Sequence, residues 1–209
     1  MISRKYCRLI FLLLASVIGI GMTACSSGTK LPRLDANAVV LAFGDSLTFG
    51  TGAESAESYP AILGHLIARK VVNAGVPGEV TDEGLSRLPG LLDTARPALM
   101  LLCHGGNDLL RRLDKNQTAG NIRAMIRLAH ARNISVILIA VPSPGLSLQP
   151  PSIYREIASD LQLPIEEQIL TTVLADGSLK SDYIHPNAAG YRRIAEELAA
   201  LLKKTGAID

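Results

Sequence analysis

The stretch that decides the fold is Val39-Val40-Leu41-Ala42-Phe43, an uninterrupted apolar run followed at once by Gly44-Asp45-Ser46-Leu47-Thr48. Two further runs have the same character, from Ala98 to Cys103 and from Val136 to Val141. None of the three alternates between apolar and polar residues, and each is short and bounded by glycine, proline or polar residues. Such runs are typical of strands that are buried on both faces of a sheet.

Helical patterns lie between these runs and complete the fold prediction. Lys70 to Asn73 and Leu163 to Ile165 are weaker candidate strands. Apolar residues at helical spacing predict helices over 60–69, 82–95, 122–129 and 191–202, the second broken or kinked near Pro89-Gly90. Continuous apolar strands that alternate with helices predict an α/β fold: a flavodoxin-like three-layer sandwich, with a parallel, doubly wound sheet and helices on both faces.

The composition excludes several other classes of protein. The chain has 209 residues, of which 48% are hydrophobic and 19% charged, with only three cysteines. These values exclude a disordered chain, a collagen-like repeat and a disulfide-dense scaffold. A formal net charge of +2 is too small to indicate a nucleic-acid-binding protein.

The residues that follow the predicted strands are the candidates for function, because doubly wound sheets bind ligands beyond the carboxyl ends of their strands. Ser46 lies on the first strand-to-helix turn, but a hydroxyl is a weak nucleophile and needs an adjacent base, which His185 can supply. Asp182, three residues earlier, can fix the tautomer of that histidine. Gly75 and Asn107, at two other strand ends, can supply hydrogen-bond donors to a tetrahedral oxyanion.

Each of these features also has an ordinary structural explanation. Gly-Asp-Ser is a common turn, and an Asp182–His185 pair before a helix can be a cap beside a surface histidine. Gly105-Gly106-Asn107-Asp108 can be a simple loop. Their joint occurrence, in order and at one edge of the predicted sheet, favours an acyl-transfer site.

With these residues identified, the chain resembles the GDSL, or SGNH, hydrolase family, in particular its small bacterial arylesterases, thioesterases and lysophospholipases. The resemblance runs from about Val40 to Leu202, nearly the whole domain that follows the N-terminal segment. Four blocks carry it: Gly44-Asp45-Ser46-Leu47, then Gly75, then Gly105-Gly106-Asn107-Asp108, and finally Asp182 with His185.

The resemblance implies the SGNH hydrolase fold and a role for each site residue. Ser46 would be the nucleophile, His185 the base and Asp182 its orienting partner, while the backbone N–H groups of Ser46 and Gly75 and the Asn107 side chain would form the oxyanion hole. The implied reaction is hydrolysis of a small acyl ester or thioester through an acyl-Ser46 intermediate, with no cofactor, metal or nucleic acid. Two alternatives remain: an O-acetyl esterase acting on a polysaccharide, and a non-catalytic envelope lipoprotein that binds acyl or glycan ligands.

Two stretches depart from the family pattern. His104 stands where relatives often carry an apolar or acidic residue, and we expect it to pack against the site or line it, although a competing role as base stays open. Gly78-Glu79-Val80-Thr81 replaces small and acidic residues, so we expect the substrate contacts there to differ. We expect residues 109–113 and 146–151 to border the acyl pocket, and Cys103 to be a buried small hydrophobe.

The N-terminal segment has the pattern of a secretory signal peptide. Three basic residues precede an uncharged run from Leu9 to Ala24, about 24 Å long as a helix and short of the roughly 30 Å hydrocarbon core of a bilayer. The run ends in Met22-Thr23-Ala24-Cys25, which resembles the lipobox of bacterial lipoproteins. The alternatives are a plain signal peptide or an uncleaved anchor, with Cys25 incidental.

The lipobox resemblance implies that Cys25 is acylated and anchors the protein in the bacterial cell envelope, with Ser26 favouring the outer membrane and a site facing the periplasm. We therefore expect a signal peptide over 1–24, a tether over 25–37, the hydrolase domain over 38–204 and a tail over 205–209. Removal of residues 1–24 takes away three of the 21 basic residues and none of the 19 acidic ones, so the net charge becomes −1.

Overall fold

The computed structural model describes residues 29–145 and 148–209. The predicted signal peptide and Cys25 lie outside the described residues, as do Leu146 and Ser147 of the predicted pocket border.

Five parallel strands form one sheet in the order β2-β1-β3-β4-β5. Their bounds are Val39–Gly44 (β1), Lys70–Gly75 (β2), Leu99–Cys103 (β3), Ser135–Ile139 (β4) and Ile165–Glu166 (β5). The three uninterrupted apolar runs thus form the centre of the sheet, and β3 is buried throughout. Gly44 pairs with both Gly75 and Cys103, so the carboxyl ends of the three strands that precede the site are level.

Eight α-helices of the described chain surround this sheet. Their bounds are Ser46–Phe49 (α1), Tyr59–Ile67 (α2), Thr81–Ala95 (α3), Gly106–Leu110 (α4), Lys115–His130 (α5), Ser152–Asp160 (α6), Ile169–Ala175 (α7) and Ala188–Thr205 (α8). Helix α2 packs against α8, and α3 packs against α5. The predicted α/β architecture, a parallel sheet within a three-layer sandwich, is confirmed.

The predicted break at Pro89-Gly90 is wrong, because α3 continues through Pro89 to Ala95. A proline inside a helix removes one backbone hydrogen bond. Leu88 and Leu92 are buried on either side of it, and this packing holds the helix together. The helix ends where Arg96 adopts a left-handed conformation with φ of 43°.

The two ends of the described chain pack together under the sheet. Leu31 N–H donates to Thr205 O at 3.0 Å, and Leu34 N–H donates to Ala207 O at 2.8 Å. Leu34 and Ala207 are both buried in the core. A tether was predicted over 25–37 and a tail over 205–209; in the structure, residues 31–34 hydrogen-bond to residues 205–207, and Leu34 and Ala207 belong to the core.

Among the helices of the described ranges, none combines the length and the apolarity needed to cross a bilayer.

Candidate active site

Ser46 is held at the end of the central strand by the local backbone. It is the first residue of α1, directly after β1, so its N–H has no acceptor within the helix. The buried Asp45 caps α1, its Oδ1 accepting from Leu47 N–H at 3.0 Å. Gly44 permits this sharp turn, because a Cβ there would lie 2.1 Å from Cys103 O. Asp45 therefore holds a backbone amide of the turn that carries Ser46.

Ser46, His185 and Asp182 form a continuous line of hydrogen bonds. Ser46 Oγ lies 3.0 Å from His185 Nε2, and His185 Nδ1 lies 2.8 Å from Asp182 Oδ2. A carboxylate only accepts, so Nδ1 carries the proton and Nε2 is free to accept from the serine hydroxyl. The structure therefore brings together three residues that are up to 139 positions apart in the chain.

Asp182 also organises the loop that carries the histidine. Its Oδ1 accepts from the N–H groups of Ile184 and His185, each at 2.8 Å. Partial burial opposes ionisation of the Asp182 carboxyl, but the hydrogen bonds from the His185 ring and from these two amides hold its pKa below the ordinary value. The Asp182 carboxylate therefore stays ionised at neutral and mildly acidic pH.

Of the expected oxyanion donors, Asn107 faces the same cleft as Ser46. Its Nδ2 donates to Glu79 O at 3.0 Å and lies 3.4 Å from Asp45 Oδ2. Gly75 lies at the end of β2 beside Phe49, where a Cβ would be 2.1 Å from Phe49 N. Its N–H donates to Asn73 Oδ1 at 3.0 Å, so it can reach an oxyanion only by giving up or sharing that bond.

An apolar cleft of about 60 Å³ opens beside Ser46. Its apolar walls come from several loops at the carboxyl edge of the sheet: Leu47, Leu110, Val141, Pro142, Pro144, Leu148, Leu174, Tyr183 and Ile184. Leu110 belongs to the predicted border 109–113 and Leu148 to the predicted border 146–151. Leu174, Tyr183 and Ile184 are not predicted as cleft residues from the sequence, because α7 and the histidine-bearing loop reach the cleft only in the folded chain.

Asp108 ties the neighbouring loops together beneath the cleft. The buried carboxylate accepts from Thr81 N–H at 2.9 Å and from Thr81 Oγ1 at 2.5 Å. Thr81 begins α3, so Asp108 joins the residues after β3 to the start of that helix.

The two departures from the family pattern meet each other in the structure. His104 is fully buried, and its Nε2 lies 3.0 Å from Glu79 Oε2. Glu79, itself 5% exposed, also forms an ion pair with Arg87 of α3. His104 is therefore a packed residue that does not reach the cleft, and the Glu79 side chain points into the protein. The expectation of altered substrate contacts at Gly78–Thr81 is not met by Glu79.

His104 is also unsuited to act as a base. Its Nδ1 accepts from Gly105 N–H at 3.0 Å, so that nitrogen carries no proton, and Nε2 donates its own to Glu79. Arg87 was not singled out in the sequence, because nothing in the periodicity of α3 shows that its side chain folds back over the strand ends.

Cys103 ends β3 as a buried thiol, as the sequence predicted, and burial raises its pKa well above the ordinary value. Within residues 29–145 and 148–209, no cluster of three or more His, Cys, Asp or Glu side chains is arranged to hold a metal ion.

Comparison with known proteins places this geometry in context. Residues 42–193 match the sequence profile of the GDSL-like Lipase/Acylhydrolase family. The chain is similar to Esterase TesA of Pseudomonas aeruginosa, with 28% identity over 87% of this chain and 96% of that protein. It is also similar to Thioesterase 1/protease 1/lysophospholipase L1 of Escherichia coli K12, with 30% identity over 82% of this chain and 86% of that protein.

The fold is shared with proteins of the same kind. A crystal structure of TesA superposes with a TM-score of 0.72 at 28% identity, covering 80% of this chain and 99% of that one. The residues that match the family profile, 42–193, include both the Ser46 turn and the His185 loop.

Proposed function

The chain belongs to the GDSL-like lipase/acylhydrolase family, and from this premise we propose that it is a serine hydrolase that cleaves small carboxylic esters or thioesters through an acyl-Ser46 intermediate. The observation that carries the proposal is the hydrogen-bonded line from Ser46 Oγ through the His185 ring to Asp182, at 3.0 and 2.8 Å. Nucleophile, base and orienting group are thereby already in contact.

In the first half-reaction, Ser46 Oγ attacks the acyl carbonyl carbon while His185 Nε2 takes the hydroxyl proton. Asp182 holds the ring and stabilises the imidazolium that forms. The negative charge that develops on the carbonyl oxygen is stabilised by the Ser46 N–H and the Asn107 side-chain N–H. The tetrahedral intermediate collapses as the bond to the leaving alcohol or thiol breaks, and His185 returns its proton to that group.

In the second half-reaction, water takes the place of the leaving group. His185 Nε2 removes a proton from this water, whose oxygen attacks the acyl-Ser46 carbon. Collapse of the second tetrahedral intermediate breaks the bond to Ser46 Oγ and releases the carboxylic acid. The proton on His185 returns to Ser46, so the enzyme is restored and no cofactor is consumed.

The cleft supports a short acyl group as the substrate moiety. Its walls are mainly aliphatic, and its volume of about 60 Å³ is small beside the 300–1,000 Å³ or so of pockets that bind drug-sized ligands. Relatives named as an esterase and as a thioesterase and lysophospholipase support the choice of ester or thioester chemistry.

Replacement of the nucleophile tests the proposal. Hydrolysis of p-nitrophenyl acetate by Ser46→Ala is expected to fall by roughly 10⁴- to 10⁶-fold in kcat, because the acyl-enzyme can no longer form. A fluorophosphonate should add one adduct to wild type, located at Ser46 by peptide mass, and none to the variant. Ser86→Ala, at an exposed serine on α3, is the matched control and should behave as wild type. Ser46→Ala activity equal to wild type, or labelling elsewhere, would overturn the mechanism.

We also propose that the protein is exported and anchored in the cell envelope by acylation of Cys25. The support comes from the sequence alone: the basic start, the uncharged run from Leu9 to Ala24 and the lipobox-like Met22-Thr23-Ala24-Cys25.

A further inference from the structure

We propose that Arg87 is a positioning residue for the oxyanion hole, held in place by Glu79 and His104; the inference rests on the function proposed above. The three side chains, which we call the buried triad, lie outside the cleft wall; Glu79 and His104 are buried, and the Arg87 side chain is 26% exposed. Arg87 Nη2 donates to Glu79 Oε2 at 2.7 Å, and Arg87 Nε pairs with Glu79 Oε1. His104 Nε2 donates to the same Oε2 at 3.0 Å.

The Arg87 guanidinium reaches two of the three segments that carry expected oxyanion donors. Its Nη2 donates to Ala74 O at 2.8 Å, directly before Gly75. The same nitrogen lies 3.3 Å from Gly44 O, two residues before Ser46. One rigid, planar group thus contacts the ends of both β1 and β2, which the sheet pairs up to Gly44 and Gly75.

The other two members reach the third segment. The Glu79 backbone carbonyl accepts from Asn107 Nδ2 at 3.0 Å, which sets the direction of that amide. His104 Nδ1 accepts from Gly105 N–H at 3.0 Å, at the residue that caps the short helix carrying Asn107. The segments that carry Ser46, Gly75 and Asn107 therefore all make contacts with the same buried triad.

Packing around the triad leaves it little freedom. The Arg87 guanidinium carbon lies 4.2 Å from the centre of the Phe43 ring, and His104 lies against the same ring with centroids 5.8 Å apart. Gly84 of α3 allows the helix to approach His104, because a Cβ there would be 2.4 Å from His104 Nε2. Side chains that are fixed by packing and hydrogen bonds can hold the donors of a site with the positional precision that stabilisation of a transition state requires.

None of the three side chains is part of the cleft wall that holds Ser46 and His185. The triad therefore acts through the backbone and through Asn107, and its loss should weaken binding of the transition state more than binding of the substrate. The kinetic signature is a fall in kcat with little change in KM.

The experiment compares Arg87→Gln with wild type on p-nitrophenyl acetate, with kcat, KM and Tm measured on each protein. We expect kcat to fall about 10- to 100-fold while KM stays within about threefold, in line with misplaced oxyanion donors. Arg87→Lys, which keeps the charge, should recover part of the lost kcat. Arg132→Gln removes an ion pair with Asp93 at 2.8 Å, on the α3–α5 side, and should leave kcat and KM unchanged.

A stability control separates positioning from folding. Leu202 is fully buried near the far end of α8, so Leu202→Ala should lower Tm and leave kcat within about twofold at an assay temperature well below its Tm. If Arg87→Gln retains wild-type kcat, or if Leu202→Ala loses kcat equally, the inference is overturned. Should Arg87→Gln fail to fold, Glu79→Gln carries the same test, and an unchanged kcat in that variant overturns the inference.

If the proposed serine hydrolase function is wrong, the same kinetic measurements give a different result. In that case wild type and Ser46→Ala hydrolyse the ester at the same rate, whatever the residue at position 87. Ser46-dependent turnover that is insensitive to Arg87, Glu79 and His104 would leave the proposed function intact and reject the positioning role alone.

Discussion

At the residue scale, the electrostatics of the site divide into a solvent-facing part and a buried part. Asp182 is half-exposed and is stabilised as a carboxylate by the His185 ring and two backbone amides. Asp45 is buried, and desolvation raises the pKa of its carboxyl above the ordinary value. Glu79 is also withdrawn from water, yet hydrogen bonds and charge from His104 and Arg87 outweigh desolvation and lower its pKa.

The lowered pKa of Glu79 predicts a stability that depends on pH. A carboxyl whose pKa is lower in the folded than in the unfolded chain stabilises the fold when ionised, and that contribution is lost as the pH falls from about 4.5 through the folded value. Glu79→Gln should therefore reduce the free energy of unfolding at pH 7, and the difference from wild type should shrink between pH 5 and pH 3. Urea denaturation at each pH measures it.

The same substitution at the exposed Glu156 is the matched control for removing one negative charge. A smaller loss of stability is expected there, because exposed charges interact weakly through water. A difference between wild type and Glu79→Gln that does not change between pH 7 and pH 3 would contradict the account of the buried triad.

At the element scale, the loop before α8 determines where the histidine stands. Asn187 caps α8, with its Oδ1 accepting from Gly190 N–H at 3.1 Å. Its Nδ2 donates to Ser178 O at 2.9 Å and to Lys180 O at 3.2 Å, which fastens the start of the loop to the helix. The histidine-bearing loop is thus closed by one side chain at the start of α8, the longest helix of the described ranges.

Asn187→Ala is expected to affect both stability and catalysis. Loss of the cap costs about 1 kcal/mol, which lowers Tm by roughly 2–4 °C in a domain of this size. Because the two bonds to the loop are lost as well, kcat on p-nitrophenyl acetate should fall about 3- to 30-fold as His185 loses its fixed position. Thermal unfolding and steady-state kinetics measure the two effects.

Asp114 offers the corresponding control, since it caps α5 by accepting from Asn116 N–H and Gln117 N–H. Asp114→Ala should lower Tm by a similar amount and leave kcat near wild type. Equal losses of kcat in the two variants would show that His185 is not positioned by Asn187 in particular.

Three buried tyrosines act at the same scale, each fastening a loop at the carboxyl edge of the sheet. Tyr154 O–H donates to His104 O at 2.9 Å, and Tyr191 O–H donates to Thr51 O at 2.8 Å. Tyr59 Oη lies 3.1 Å from Thr48 Oγ1. Three of the six aromatic side chains in the described ranges thus support segments beside the site, while the cleft wall is mainly aliphatic.

At the scale of the whole molecule, residues 31–34 and the site lie at opposite ends of α8. Residues 31–34 pair with the end of α8, and the start of α8 follows the His185 loop. A helix of 18 residues is about 27 Å long. The start of the described chain is therefore about one helix length away from the His185 loop.

The proposed anchor gives a prediction of its own. When the full-length chain is expressed in a bacterial host supplied with a labelled fatty acid, wild type should incorporate the label and Cys25→Ser should not, because the acylated residue is lost. Specific activity on p-nitrophenyl acetate should stay within about twofold of wild type. Cys7→Ser is the matched control and should keep the label. Incorporation of the label into Cys25→Ser would refute acylation of Cys25 as the anchor.

The sequence by itself indicated the sheet and the four blocks of candidate site residues. Apolar runs from Val39, Ala98 and Val136 are local patterns typical of strands buried on both faces, and residues after such strands gather at one edge of the sheet. The continuity of α3 through Pro89 was beyond local reasoning, because it depends on how Leu88 and Leu92 pack.

Only the tertiary structure decided what lies behind the site. His104 and Glu79 are two separate departures from the family pattern in the sequence. The fold places His104 Nε2 3.0 Å from Glu79 Oε2 and brings Arg87 from a third segment to the same carboxylate. No local pattern encodes that meeting, because it depends on where α3 crosses the strand ends. Side-chain polarity determined which residues could do chemistry, whereas the meeting of distant segments decided which of them face the cleft and which support it.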